Sequence, residues 1–333
     1  MDPPLPIRIL LLPLSWVYRV VVHCKAAFYA RGWLGKERLK GVVISVGNLT
    51  VGGTGKTPMV LWLAEKLLAE GKSVAILSRG YRGGQNGSDE VELLRRRLGG
   101  RVRFGVGANR FEQGSRLEHS APVDFFLLDD GFQHQQLARD LDIVMLDGSQ
   151  RLDSEWLLPA GRLREPLAAC RRADLLVVTR EFEPPPIEAQ DSRRQAIFYA
   201  RTRLLGLRKY GGGSLLLSPH ELGPGPFYVF CGIGNPRAFA EDLRRWNLTV
   251  AESREFRDHY RYSASDVQAI EAAALARGAR GLLTTEKDEQ NLGKLAFAKL
   301  PVFVAVIDFV LSSGDEFTSA MERLLAERRG GNG

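Results

Sequence analysis

The chain has 333 residues, of which 44% are hydrophobic and 26% charged. That balance excludes a disordered, collagen-like or multi-span membrane protein and is long enough for two domains. Forty-six Lys and Arg against 39 Asp and Glu leave a formal charge of +7, which suits an anionic partner (nucleic acid, a phosphorylated ligand or an anionic membrane face) without choosing among them. Cys24, Cys170 and Cys231 lie far apart, with no CxxC pair and no Cys/His cluster. They argue against a disulfide framework or structural zinc and for a reduced compartment.

Residues 5–22 read LPIRILLLPLSWVYRVVV. A membrane span needs about 20 mostly apolar residues, and Arg8, Pro13 and Arg19 interrupt this run. No small-residue cleavage site of a signal peptide follows. The first forty residues carry Arg8, Arg19, Lys25, Arg31, Lys36, Arg38 and Lys40 against Asp2 and Glu37, with Trp16, Tyr18 and Trp33 among them. Residues 1–38 therefore read as an amphipathic helix resting on an anionic membrane surface.

A first domain is expected over 39–182. Residues 41–48, GVVISVGN, are apolar and β-branched, hence a buried strand. From Pro58, the residues Val60, Leu63, Ala64, Leu67 and Leu68 recur at helical spacing until Gly71 closes the helix. Trp62 falls off that stripe and is expected at a side contact. Between strand and helix stands NLTVGGTGKTP. A phosphate-binding loop needs free backbone N–H groups, a lysine for the β/γ-phosphates and a hydroxyl for Mg²⁺. Gly52, Gly53, Thr54 and Gly55 make the cradle, Lys56 is the cation and Thr57 the hydroxyl; Thr50 replaces the first glycine of the strict pattern. Further strands are expected at 73–78, 102–106, 123–131, 141–148 and 174–180, mostly separated by helical or loop segments, which predicts a parallel sheet covered on both faces. The strand FFLLDDGFQH (125–134) ends in Asp129 and Asp130. These carboxylates stand at the carboxyl edge, where open α/β sheets bind ligands, and one of them can hold Mg²⁺. Gln133 and His134 follow at the same edge, as candidate substrate contacts.

Residues 183–226 read as a linker, with EFEPPPIEAQ at its start, a possible two-stranded ribbon flanking Gly211–Gly213, and GPGP at 223–226. A smaller α/β domain is expected over 227–330. It has strands at FYVFCGIGN, GLLTTEKD and VFVAVIDFVL, and Ser263 with Asp266 forms a capping box for a helix through Ala276. The tail RRGGNG reads as frayed.

VGNLTVGGTGKTP (46–58), SRGY (78–81), LLDDGFQH (127–134), LPAGRLREP (158–166), GIGNP (232–236), FRDHYRY (256–262) and TTEKD (284–288) together resemble the tetraacyldisaccharide 4′-kinases of lipid A biosynthesis. PLSWVYR near the N-terminus does too. The motifs follow the family's order over nearly the whole chain. The resemblance implies a P-loop core with a smaller α/β domain, the active site between them, and transfer of the γ-phosphoryl of ATP to the 4′-hydroxyl of a lipid A disaccharide 1-phosphate. It also implies a place on the cytoplasmic face of the inner membrane, peripheral or monotopic. ATP and Mg²⁺ are the cofactors implied. Lys56 and the loop amides would hold the phosphates, and Thr57 with Asp129 or Asp130 the metal. Asp89, in Ser88-Asp89-Glu90, matches the family's base for the hydroxyl proton, and His259 the histidine that pairs with it. Ser88 and Val91 depart from the family's glycine and proline there. Asp258 could serve His259 or the metal. Arg164 and Glu165 match residues near the nucleotide, and Arg162, where relatives commonly carry proline, is assigned no role.

The residues alone also allow blander readings. Asp89 lies in a Gly/Asn/Ser-rich stretch that composition reads as a loop, and Arg79 and Lys287 suit either anionic ligands or strand-end ion pairs. His23, His119 and His220 have no supporting neighbours. The alternative function is a P-loop ATPase or GTPase acting as an assembly factor or metallochaperone, against which stand the missing Cys/His cluster and the missing NKxD motif. A nucleotide-gated binding protein would lack Asp89 and His259. Nucleic-acid binding rests on net charge alone, and no obligate protein partner is evident.

Overall fold

Short β-branched runs separated by helical stretches can bury both faces of each strand only by laying helices on a parallel sheet, and the chain does so in a computed structural model. It describes residues 5–80, 89–149, 152, 155–180 and 195–330. The proline-rich start of the expected linker, Tyr81, Ser88 and the last three residues lie outside these.

The chain divides into two units, Met1–Arg201 with Leu311–Gly333, and Thr202–Val310. In the first unit, α1 (Leu5–Ala30), β1 (Val42–Asn48), α2 (Lys56–Ala69), β2 (Val74–Ser78), α3 (Asp89–Leu98), β3 (Arg103–Val106), α4 (Arg110–Ser120), β4 (Phe125–Asp129), β5 (Leu141–Asp147), β6 (Leu175–Thr179) and the start of β7 (Ala196–Lys209) follow in order. The strands run in the order β7-β6-β5-β1-β4-β2-β3, with parallel pairing between neighbours. β1 sits centrally and Val46 registers with Asp129 of β4, which brings the two sequence anchors side by side. All seven residues of β1 and of β5 are buried; each such Val, Leu or Ile contributes roughly 1.5–3 kcal/mol.

The second unit takes the rest of β7, then β8 (Leu216–Leu217), β9 (Phe227–Cys231), α5 (Pro236–Arg245), β10 (Val250–Glu255), α6 (Ala264–Ala276), β11 (Gly281–Thr285), α7 (Glu286–Leu292) and β12 (Val302–Leu311). Its order is β10-β9-β11-β12-β7. The expected ribbon is present as antiparallel β7–β8, Leu207 opposite Leu217. The capping box forms as read: Ser263 accepts from Asp266 N and Asp266 reaches back to Ser263. Asp288 of TTEKD is fully buried and accepts from Gly232 N at 2.7 Å, Tyr262 Oη at 2.8 Å and Thr285 Oγ1 at 2.7 Å, so it knots the GIGN turn to the start of α7.

The two units meet at 201/202 and 310/311, whereas the sequence places domain limits at 182/183 and 226/227. β7 is one 14-residue strand, because residues 196–209 alternate well enough to extend without a break, and only its second half belongs to the second unit. The chain then returns: α8 (Gly314–Gly330) packs in the first unit, where Phe317 meets Trp62 edge-on at 5.6 Å and Phe198 at 5.1 Å. That is the side contact expected for Trp62.

α1 corrects a detail. It is a 26-residue helix long and apolar enough, by length and composition, to cross a membrane. Leu5, Ile7, Ile9, Leu10, Leu14, Trp16, Val17 and Val21 are all exposed, and at 100° per residue they cover most of its circumference. It is an apolar helix with a narrow polar stripe rather than a two-faced one.

Candidate active site

The phosphate loop begins where β1 ends. Gly52 (φ 117°) and Gly55 (φ 86°) adopt backbone that only glycine enters freely. Gly55 caps α2 without any side-chain bond, so the first amides of the helix face the loop with the dipole behind them, the usual anion seat. Asn48 Nδ2 donates to Thr54 Oγ1 at 2.9 Å in the buried base of the loop. Lys56 and Thr57 open α2, half-buried.

Beside the loop, DDGFQH makes a tight turn. Gly131 N donates to Val46 O at 3.1 Å, and a Cβ on Gly47 would stand 2.5 Å from Phe132 Cβ, so the two motifs fit only with glycine there. Asp130 sits at φ 55°, a strained setting that Asp tolerates and functional sites favour. Its carboxylate accepts from Arg164 Nη1 at 2.8 and 2.7 Å and lies 3.5 Å from Lys56 Nζ. Burial works to raise the pKa of Asp130, but Lys56 and Arg164 outweigh it and hold the group below the usual carboxylate range. Asp129 goes the other way. Burial first, then Asp130 and Glu90, push it up to about 7, against Lys56 and Arg110. The adjacent acids are thus driven apart by their surroundings.

Residues 155–172 brace this assembly. Arg164 N donates to Leu49 O at 2.7 Å, Val51 N to Arg162 O at 2.8 Å, and Arg162 Nη2 to Val51 O at 3.1 Å. Arg162, given no role from sequence, therefore buttresses the phosphate loop. Glu165 is placed beneath Arg172. It is buried, with Oε2 2.6 Å from Arg172 Nη1 and Oε1 3.1 Å from Nη2, and Arg172 stacks on Phe132. A carboxylate this buried requires its counterion, and Arg172 supplies it. Gln133 likewise spends its amide internally. Nε2 donates to Asn48 O at 2.8 Å and Oε1 lies 3.5 Å from Arg164 Nη1.

Asp89 is the first residue of α3 rather than a loop residue; its acidic first turn, Asp89, Glu90 and Glu92, suits a helix start. Glu90, its neighbour, acts on Asp129, which brings this turn to the Asp129–Asp130 end of the sheet. Arg110 was missed from sequence. It opens α4 after the Asn109 cap, is buried, and its Nε has no hydrogen-bond partner. Burial, then Arg79, lowers its pKa while Asp130 and Asp129 oppose. A basic residue in the first turn of a helix, against the dipole, was the available signal. His134 belongs to the same cluster, with Nε2 buried and unpartnered. Burial first, then Arg110, Arg139, Lys25 and Arg79, lowers its pKa to about 4, so it is a neutral imidazole at physiological pH. In an NMR titration His134 should stay neutral to near pH 4, and Arg110→Ala should raise that midpoint without restoring it to 6.5, because burial remains the larger cause. A midpoint at 6 or above in the unaltered protein would mean that no such cluster exists.

In the second unit, His259 (φ 59°) lies against the GIGN turn, its N–H donating to Gly232 O at 3.1 Å. Lys287 Nζ is 3.0 Å from Asp258 Oδ1 and 3.4 Å from His259 Nε2. Asp258 and Lys287 therefore form an ion pair beside the imidazole. Asp89 belongs to the first unit and His259 to the second.

Comparison with known proteins identifies relatives along the whole chain. The sequence profile of the family described as LpxK, tetraacyldisaccharide-1-P 4′-kinase, matches residues 7–326. A tetraacyldisaccharide 4′-kinase of Geobacter metallireducens is 36% identical, over 95% of this chain and 98% of its own. That of Koribacter versatilis is 34% identical, over 96% and 99%. Among solved structures, the "apo" form of LpxK from Aquifex aeolicus in complex with ATP aligns with a TM-score of 0.74 and 30% identity, covering 96% of this chain and 99% of that one.

Proposed function

The chain belongs to the tetraacyldisaccharide-1-P 4′-kinase family, and on that premise we propose that Lys56, the phosphate loop, the Asp129–Asp130 pair and Asp89 carry out its phosphoryl transfer. The enzyme is an ATP-dependent phosphotransferase acting on an alcohol: the γ-phosphoryl group goes to the 4′-hydroxyl of a tetraacyldisaccharide 1-phosphate, a lipid A precursor. The assembly-factor reading is not favoured. The observation that carries the assignment of roles is the register of β1 with β4, which sets loop and carboxylates side by side.

Phosphoryl transfer asks the protein chiefly for positioning and charge. The amides from Gly52 to Thr57 hold phosphate oxygens, and Lys56 offsets the negative charge that spreads over them. Asp130, already held by two cations, orients Lys56 and Arg164. Among the described residues no group of three or more His, Cys, Asp or Glu could hold a metal. Mg²⁺ does not need one. It takes hard oxygen ligands from one or two carboxylates and the substrate phosphates, and the carboxylates of Asp129 or Asp130 with the Thr57 hydroxyl supply such donors. When bound, the ion would neutralise charge on the phosphates. Asp89 accepts the proton of the attacking hydroxyl. Arg110 and Arg79, with neutral His134 between charges, offer cationic contacts to an anionic acceptor. α1 seats the enzyme on an anionic membrane surface, at the cytoplasmic face of the inner membrane, where ATP and the lipid can meet.

The test supplies the purified protein in detergent with Mg²⁺, γ-labelled ATP and the tetraacyldisaccharide 1-phosphate. Label is expected in the lipid. ATP hydrolysis with none in the lipid would reject the assignment.

A further inference from the structure

The one buried residue of α1 is polar: Ser15, 6% exposed on a helix whose apolar residues face outward. It is fully satisfied. Ser15 Oγ donates to Leu157 O at 3.0 Å and accepts from Ala160 N at 3.0 Å. One turn on, Tyr18 Oη donates to Arg164 O at 2.9 Å. Two turns before Ser15, Arg8 Nη2 reaches Glu155 Oε1 at 3.2 Å, the same oxygen that takes the N–H groups of Trp156 and Arg162 at 3.1 Å. Residues 8, 15 and 18 fall on one side of a helix at 100° per residue. Through residues 8, 15 and 18 the helix thus grips one segment, 155–164, and turns its apolar surface away.

The gripped segment is the one that holds the nucleotide site. It bonds the phosphate loop at Leu49 and Val51, and Arg164, whose carbonyl takes the Tyr18 hydroxyl, binds Asp130 with its guanidinium. A residue of α1 is therefore one covalent unit from the group that orients Asp130 and Lys56. None of these contacts is apolar anchoring, and none touches the outward face.

We infer that Ser15 and Tyr18 are positioning residues for the nucleotide site: the lipid-facing helix, through its inner polar stripe, sets the 157–164 segment and with it the phosphate loop and Arg164. This rests on the ATP site proposed above. It separates two jobs on one helix, with the outer apolar face for the lipid surface and the inner stripe for ATP.

The experiment measures two quantities on the full-length protein: ATP affinity, by equilibrium dialysis with labelled ATP and Mg²⁺ in detergent without any acceptor lipid, and partition onto vesicles of phosphatidylglycerol and phosphatidylcholine. Tyr18→Phe, which removes one hydroxyl and keeps the ring, is expected to weaken ATP binding about three- to tenfold, the range of one ordinary hydrogen bond lost. Its vesicle partition should stay within about twofold of the parent. Ser15→Ala should behave alike and Ser15→Thr should restore the affinity. Leu10→Ser, on the outer face at 78% exposure, should show the reverse pattern. Unchanged ATP affinity in both inner variants overturns the inference, as does an equal loss in Leu10→Ser, which would mark a global effect. Failure of the kinase assignment itself would look different, with ATP bound normally and no label reaching the disaccharide.

Discussion

Lys56→Ala should cut kcat/KM for lipid phosphorylation by about 10³-fold or more. Lys56 opens α2 at the uncapped end of the helix, with its ammonium 3.5 Å from Asp130. The loop amides and the helix dipole remain in the variant and continue to bind phosphate weakly. What is lost is the one full positive charge on the loop that can follow the transferring group, whose charge changes only in the transition state. The loss should therefore appear more in kcat than in ATP affinity. The fold should survive, because Arg164 still satisfies both oxygens of Asp130. A melting temperature within a few degrees of the parent, measured beside the transfer assay, separates a charge effect from unfolding. Parental turnover in this variant would remove the phosphate loop from the mechanism. Lys56→Arg is a sharper control. It keeps the charge on a longer, planar head, and its failure would show that the site needs a compact ammonium as well as a cation.

Much of the first unit was legible because its chemistry is local. β1, β2, β4, β5 and β6 are predominantly apolar runs of the kind two-sided burial demands, and each lies within two residues of its expected limits. The phosphate loop and DDGFQH carry their geometry in glycines and acids that few other structures need. The misses have physical reasons. β10, VAESRE, carries charged residues and is half exposed at a sheet edge, so periodicity cannot flag it. α3 starts beneath a Gly/Ser-rich stretch that masks its acidic first turn. Where the chain passes from one unit to the other is not legible, because a strand's pairing partners are nonlocal: nothing in residues 196–209 announces that β7 changes unit midway.

Within the site the sequence recognised residue types better than their partners. Gln133 and Glu165 stand in motif positions, yet their polar atoms are consumed by Asn48 and Arg172. Motif membership marks a residue that the site depends on, whether it touches a ligand or holds one that does. Arg110 and Arg162 show the converse, since their value lies in nonlocal contacts with β4 and with the phosphate loop. The polar stripe of α1 belongs to the same class. Ser15 and Tyr18 stand in PLSWVYR, but their partners are invisible until the segment they bind is known.

Asp89→Asn should lower kcat by about 10²- to 10⁴-fold, the range for losing a positioned general base. ATP affinity should change little, because the amides of the phosphate loop and Lys56 are untouched. Asn is chosen because it keeps a polar residue at the start of α3, where a side-chain oxygen suits the helix end, so a loss of rate is not a loss of helix. Glu90 supplies the internal control. It stands next to Asp89 and adds to the upward push on Asp129, so it shares the field of the site without being the base. Glu90→Gln should lower kcat less than Asp89→Asn does. The reverse order would transfer the base role to Glu90. His259 enters through a double-mutant cycle. If its task is to orient the carboxylate of Asp89, the pair acts as a unit, and Asp89→Asn with His259→Ala should cost little more than Asp89→Asn alone. Losses that multiply would mean that His259 acts independently of Asp89, on its own substrate contact or through Lys287 and Asp258 beside it.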